Sequence, residues 1–207
     1  MSKVMLINGS PNQFGCTYTG LTEIAAALER QGIQTEILHI GSGPMAGCNG
    51  CNACRQTKRC CHQDKVNYIL EQLDDIDGIV VGSPVYYAAA SGQIASFMDR
   101  LFRAGGSRLA GKVGAAMVSC RRAGSSAALD QLHKYFSIAA MPIATSQYWN
   151  MIHGNTPDEA RQDLEGMQVM RFLGENMAWL IRSIKAGREA GVPAPSREKR
   201  VRTNFIR

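Results

Sequence analysis

The chain predicts an α/β domain in which a five-stranded parallel sheet carries helices on both faces. Short apolar runs alternate five times with longer segments whose apolar residues recur every three or four positions, the order that builds a parallel sheet. The runs are also apolar without a break, as in residues 4–7 (VMLI) and 78–82 (GIVVG). A strand buried on both faces requires that pattern, whereas a half-solvated strand alternates.

The first strand, 4–7, ends at Asn8-Gly9. A loop rich in Gly, Ser, Asn and Thr runs to Thr19, and Leu21, Ile24, Ala25 and Leu28 then mark one face of a helix. Residues 34–40 (QTEILHI) read as the second strand and 41–63 as a long loop holding five cysteines. Val66, Ile69, Leu70 and Leu73 define the next helix. The third strand, 78–82, is stopped by Ser83-Pro84, because proline cannot donate to a sheet ladder and drives its predecessor out of helical space. A helix follows over 92–103, a fourth strand over 113–119, and a helix over 125–136 with Leu129, Leu132 and Phe136 facing inward. Residues 141–145 supply the fifth strand. A long helix with Met170, Leu173, Met177, Leu180 and Ile184 on one stripe closes the domain. Asp158, Glu159, Asp163 and Glu165 fall in its first turns, where the helix dipole favours them. The domain is expected to span 1–187, followed by a basic tail over 188–207.

At 207 residues, one domain with its own core is the expectation. The hydrophobic content is an ordinary 45%, and no run approaches the roughly 20 apolar residues that cross a bilayer. The N-terminus enters the first strand within three residues, leaving no room for a secretory leader, so a cytoplasmic protein is expected. There, seven cysteines read as thiols or metal ligands rather than disulfides. The net charge of +6 gathers at the end of the chain: six basic residues against two acidic ones lie from Arg188 onward. The body is nearly neutral, and a short basic tail with a single aromatic, Phe205, argues against nucleic acid as a partner.

Parallel sheets bind ligands beyond the carboxyl ends of their strands. Three loops lie there: 9–19, 83–90 and 119–126. The first joins a strand to a helix start, whose free amides, with the hydroxyls of Ser10, Thr17 and Thr19, suit an anion. It lacks the Lys of a nucleoside-triphosphate loop and the three spaced glycines of a dinucleotide fingerprint, so neutral donors fit a single phosphate monoester, such as that of FMN, better than a pyrophosphate. An ordinary capped turn would use the same residues. The second loop sets Tyr86 and Tyr87 on a turn fixed by Pro84, placed to flank a flat ring or to cap the sheet edge. The third, SCRRAGSS, offers Arg121 and Arg122 to an electron-rich ring edge or simply to solvent.

GSP in the first loop, GSPVYY in the second, RRAG in the third, MPIATSQYW after the fifth strand and the closing TNFIR resemble the flavodoxin-like NADPH-dependent FMN reductase family, in its branch that includes iron-sulfur flavoproteins. The resemblance covers nearly the whole chain. It implies a flavodoxin-like sheet, FMN phosphate bound by Ser10, Asn12, Cys16 and Thr17, and the flavin ring held by Pro84, Val85, Tyr86 and Tyr87 and by Ser119, Arg121, Arg122, Ala123 and Gly124. Cys16 departs from the Asn of many members, and a thiol is the weaker donor.

Cys48, Cys51, Cys54 and Cys60 follow C-x2-C-x2-C-x5-C, with Cys61 adjacent. Thiols this crowded suit the corners of an iron-sulfur cube, since zinc sites usually separate their pairs by a dozen or more residues. In iron-sulfur flavoproteins the same compact motif carries a four-iron cluster, and these four positions are its counterparts. Free or redox-active thiols and zinc stay open as alternatives. Cys120 reads as a small packing residue. His39, His62, His133 and His153 show no metal spacing.

The expected function is that of an FMN-dependent oxidoreductase passing electrons from NAD(P)H to a quinone, free flavin or small redox protein. No catalytic side chain is assigned, because the flavin supplies the chemistry. A homodimer or homotetramer is expected, with neighbours covering the ring. The alternative is a non-catalytic flavin-binding redox sensor working through the thiols from Cys48 to Cys61.

Overall fold

The computed structural model describes residues 1–196, 198, 201 and 203. In chain order its elements are β1 (Lys3–Asn8), α1 (Cys16–Arg30), β2 (Gln34–His39), the single turn α2 (Cys54–Thr57), α3 (Lys65–Gln72), β3 (Gly78–Tyr86), β4 (Ala89–Ala90), α4 (Gly92–Gly105), β5 (Val113–Cys120), α5 (Ser125–Ile138), β6 (Met151–His153), α6 (Pro157–Gln162) and α7 (Leu164–Glu189). The sheet runs β2-β1-β3-β5-β6, all parallel, with the two-residue β4 antiparallel to the end of β3. This is a flavodoxin-like doubly wound sheet. Its strand order reverses between β1 and β3, so the switch-point crevice opens between the loops that follow those two strands.

Both faces of the sheet are covered because alternate residues of each unbroken apolar run feed opposite layers. Val4 and Leu6 join Leu21, Ile24 and Leu28 of α1 and Met170, Leu173 and Met177 of α7. Met5 and Ile7 join Ile69 of α3, Phe97 and Leu101 of α4, and Leu132 and Phe136 of α5. Full burial of each such side chain contributes about 1.5–3 kcal/mol. The helices come close because β5 is built from small residues: a methyl on Gly114 would lie 2.6 Å from Cδ1 of Phe136.

Three boundaries depart from expectation. The third strand does not stop at Ser83-Pro84 but runs to Tyr86, with Ser83 opposite Val118 and Pro84 opposite Ser119. The Gly82 carbonyl accepts from Gly9, so the nitrogen two residues on, at Pro84, faces the same side, beyond the end of β1. Its missing donor costs nothing there. The fifth strand is Met151–His153, not 141–145, which makes only one bridge, between Ile143 and Gly114. After Ala144 the chain is drawn away to α7, where Ser146 Oγ donates to the Val169 carbonyl at 2.7 Å and Asn176 Nδ2 to the Thr145 carbonyl at 2.8 Å. Buried Asn150 fills the gap by donating to the Ala116 carbonyl at 2.9 Å, satisfying a sheet acceptor that the lost strand would have met. The closing helix is two. Asp158 and Glu159 lie in α6, whereas Asp163 caps α7 by accepting from the Gly166 amide. Arg197, Lys199, Arg200, Arg202 and Arg207 of the basic tail, and all of TNFIR but Thr203, lie outside the described residues. Among the described residues no helix is long and apolar enough to cross a membrane.

Candidate functional site

The loops after β1, β5 and β6 and the carboxyl end of β3 meet around a cleft of ≈ 560 Å³ at the switch point. The β1 loop is held open from beneath. Asn8 Oδ1 accepts from the Ser10 amide at 3.1 Å, Asn8 Nδ2 donates to the Gln13 carbonyl at 2.9 Å, and His39 Nε2 donates to the Ser10 carbonyl at 2.8 Å. Ser10 Oγ accepts from the Asn12 amide. Helix α1 then begins at Gly15 without a side-chain cap, and its first turn borders the cleft, an arrangement whose free amides suit an anion. Thr17 and Ser119 share a buried hydrogen bond of 2.8 Å, tying the first turn of α1 to the end of β5.

Of the residues singled out in the sequence, Ser10, Asn12, Cys16, Thr17, Pro84, Val85, Tyr86, Ser119 and Arg121 line this one cleft. Tyr87, Arg122, Ala123 and Gly124 do not. Tyr87 stands fully out in solvent, and it shares with Ala88 a two-residue turn joining β3 to β4 in which both have positive φ (51° and 60°). Neither residue is a glycine, so the turn stores strain beside the cleft. Gly124 is packed behind it: a methyl there would lie 2.8 Å from Cα of Ala88. Arg121 and Arg122 are exposed, and neither forms an ion pair among the described residues. Cys16 does not offer its thiol to the cleft alone, since Sγ contacts the Gly154 carbonyl at 3.5 Å. Burial, aided by nearby Glu159, keeps that thiol above its ordinary pKa.

Sequence reasoning missed the fourth wall, Gly154, Asn155 and Pro157 after β6, along with Gln13 and Phe14. A signal for the wall is present in the capping-box sequence TPDE: Thr156 caps α6 by accepting from the Glu159 amide at 3.2 Å, while the Glu159 carboxylate reaches one residue past the cap to accept from the Asn155 amide at 2.7 Å.

The five loop cysteines face one another on the far half of α4, lining a single small cavity with His62, Arg100 and Arg103. Cys51 and Cys61 sulfurs lie 3.5 Å apart. The Ala53 amide and the Cys61 thiol hold the Cys51 thiol below its ordinary value, and the same contact pushes Cys61 up. Cys60 is the inner member: its amide donates to Asn67 Oδ1 at 2.7 Å, and its sulfur accepts from Arg100 Nε at 3.2 Å. Among the described residues no three His, Cys, Asp or Glu side chains are gathered closely enough to hold a metal ion. The donor chemistry nonetheless fits a soft metal centre. Five thiols share one wall, a cation faces one sulfur, and His62 Nε2 is buried there without a partner. The cavity holds only ≈ 20 Å³, so a cluster requires the exposed thiols of Cys48, Cys51 and Cys61 to spread outward.

The model of the NADPH-dependent FMN reductase family matches residues 2–156. An iron-sulfur flavoprotein of Methanocaldococcus jannaschii is 33% identical over 192 residues, covering 88% of this chain and 99% of that protein. One of Methanosarcina thermophila is 29% identical over 194 residues, covering 90% and 99%. Among solved structures, RosB with a bound 8-demethyl-8-formylriboflavin-5'-phosphate superposes with a TM-score of 0.72 at 15% identity, covering 100% of this chain and 94% of that one. A flavodoxin, WrbA-like protein from Agrobacterium tumefaciens gives 0.62 at 14% identity over 88% and 99%. At such identities the two superpositions speak for the fold.

Proposed function

Because the chain belongs to the NADPH-dependent FMN reductase family, we propose that it is an FMN-dependent oxidoreductase that takes electrons from NAD(P)H and passes them to a quinone, free flavin or small redox protein. The observation that carries this reading is the convergence of three loops and the end of β3 on one cleft at the switch point, with an uncapped helix start at one end and a proline-stiffened aromatic wall at the other. Ser10, Asn12, Thr17 and the first amides of α1 receive the phosphate as neutral donors. Pro84, Val85 and Tyr86 wall one side of the ring, while Arg121 brings a positive charge to its electron-rich edge. Phe14 and Tyr86, both at the surface, narrow the mouth against water. Bound FMN supplies hydride acceptance and electron release, so the protein's share is position, electrostatics and solvent exclusion.

Cys48, Cys51, Cys54 and Cys60 would hold a four-iron cluster, as the names of the iron-sulfur flavoprotein relatives suggest. Such a centre would supply one-electron chemistry toward a small redox partner. The body's near neutrality and the absence of a membrane-length helix among the described residues suit small-molecule and protein partners. Gently isolated protein should be yellow, quench FMN fluorescence on titration, and oxidise NAD(P)H in the presence of ferricyanide or a quinone. Protein that stays colourless with excess FMN would end this reading.

One observation favours a second reading. The 3.5 Å contact between the exposed Cys51 and Cys61 sulfurs suits a thiol–disulfide sensor. Negligible NAD(P)H turnover together with a two-hydrogen mass loss on mild oxidation would select it.

A further inference from the structure

Arg100 is the largest fully buried side chain of the described structure, 1% exposed, and it sits on the core-facing stripe of α4 beside Phe97 and Leu101. Its ion-pair partner, Asp64, is only half-buried, and a guanidinium taken into the core gains little stability over an apolar side chain of similar volume, so its presence asks for another reason. Its fork is turned toward the cysteine loop. Nη1 and Nη2 make a two-pronged pair with Asp64, each at 2.7 Å. Nη1 also reaches the Ala46 carbonyl at 3.2 Å and Met45 Sδ at 3.3 Å, and Nε points at Cys60 Sγ at 3.2 Å. Besides the five cysteines, the other charged or titratable side chains lining this cavity are His62 and Arg103, the latter donating to Asn52 Oδ1.

We propose that Arg100 is a positioning residue of the cysteine centre, holding the Cys60 sulfur in place and raising the reduction potential of a cluster bound there. The inference rests on the reading that the loop holds a cluster. On one-electron reduction no bond is made or broken, and the cluster gains one negative charge. A cationic N–H donor on one of its ligand sulfurs stabilises that reduced form, and hydrogen bonds to sulfur and local charge are the protein's main levers on such potentials. Asp64 works against it, since its carboxylate offsets the guanidinium. The two partners of one ion pair therefore act on the potential in opposite directions.

The test uses anaerobically purified holoprotein, with iron and acid-labile sulfide measured first and a dithionite titration followed by electron paramagnetic resonance. Arg100→Gln should lower the cluster potential by at least a tenfold shift in the one-electron equilibrium, about 59 mV. Asp64→Asn should raise it, and Arg100→Lys, which keeps the charge but loses the Nε donor, should fall between wild type and Arg100→Gln. If Arg100→Gln does not fold, Arg100→Lys and Asp64→Asn decide the matter by the sign of their shifts. A residue that merely supports the loop would give shifts of the same sign, or none, for both partners, and either result overturns the proposal while leaving the cluster reading intact. Wild-type protein without iron and sulfide removes the cluster reading and this proposal with it.

Discussion

Replacing Gly124 by Ala should loosen the cleft while leaving the sheet alone. Gly124 holds φ +84°, a conformation that costs a residue with a Cβ roughly 1–2 kcal/mol. The added methyl would also meet Ala88 Cα at 2.8 Å and Cβ at 3.0 Å, and such overpacking costs about 1–3 kcal/mol where neighbours cannot move. Ala88 has little freedom to give, because it and Tyr87 already occupy left-handed backbone in the β3–β4 turn. The penalty of about 2–5 kcal/mol therefore divides between two readouts. If the turn yields, Pro84 to Tyr86 shift and FMN binding weakens by tenfold or more, since a decade corresponds to about 1.4 kcal/mol. If it holds, the urea midpoint of the flavin-free protein falls. Gly124→Asn separates the causes: asparagine tolerates the backbone angle but keeps the Cβ, so a loss as large as that of Gly124→Ala assigns the effect to the Ala88 contact. Fluorescence-quenching titration and urea unfolding of both variants check this. A dissociation constant within twofold of wild type together with an unchanged midpoint would refute the packing of the third loop against the second.

Asn150→Ala strips the Ala116 carbonyl of its side-chain donor inside the sheet and should cost about 1–3 kcal/mol in urea unfolding. Burial holds the His133 imidazole below its ordinary value of 6.5, so on acidification through that value the unfolded chain takes up a proton that the folded chain resists. Stability should therefore decline as pH falls below about 6.5, and His133→Gln should flatten the decline when urea midpoints at pH 7.5 and 5.5 are compared. Burial also raises the Cys16 and Cys120 thiols. In metal-free protein at neutral pH, iodoacetamide should mark exposed Cys51 before either of them, as peptide mass spectrometry would show.

Much of the fold was legible because a strand buried on both faces leaves an unbroken apolar run, as in β1, the start of β3 and β5. The fifth strand was not. Residues 141–145 are as apolar as the others, yet Thr145 and Ser146 are claimed by α7, and the sheet position passes to the three residues of β6. Nothing local to either segment states that exchange. The length of β3 was hidden for a related reason, since whether Pro84 can stay in a strand depends on where its neighbour β1 ends. The three loops of the candidate cleft were legible from Gly, Ser, Asn and Pro after apolar runs, but misplacing the fifth strand concealed the loop after β6. Arg100 carried a faint signal: it stands three residues after Phe97 on the stripe shared with Ile94 and Leu101. A charge at such a position reveals its meaning only once a loop far away in sequence has folded over it.

Helix α4 joins the two candidate centres into one mechanical unit. At its start, Ser91 donates from Oγ to the Gly9 carbonyl at 2.8 Å and from its amide to Ser83 Oγ at 2.9 Å, so the floor of the cleft is pinned to the helix cap. Further along, Gln93 donates to the Ser42 carbonyl, Arg100 grips Cys60 and Asp64, and Arg103 reaches Asn52. Nine residues of helix separate Ser91 from Arg100, a rise of roughly 14 Å. Their packed face, with Phe97 and Leu101 fully buried, keeps that spacing from drifting. An aliphatic side chain in place of Arg100 would hold α4 against the sheet at least as well. What it would not supply is a fixed donor beside the Cys60 sulfur and a fixed distance from that sulfur to the cleft, the two quantities on which electron transfer would depend were a cluster bound in the proposed place.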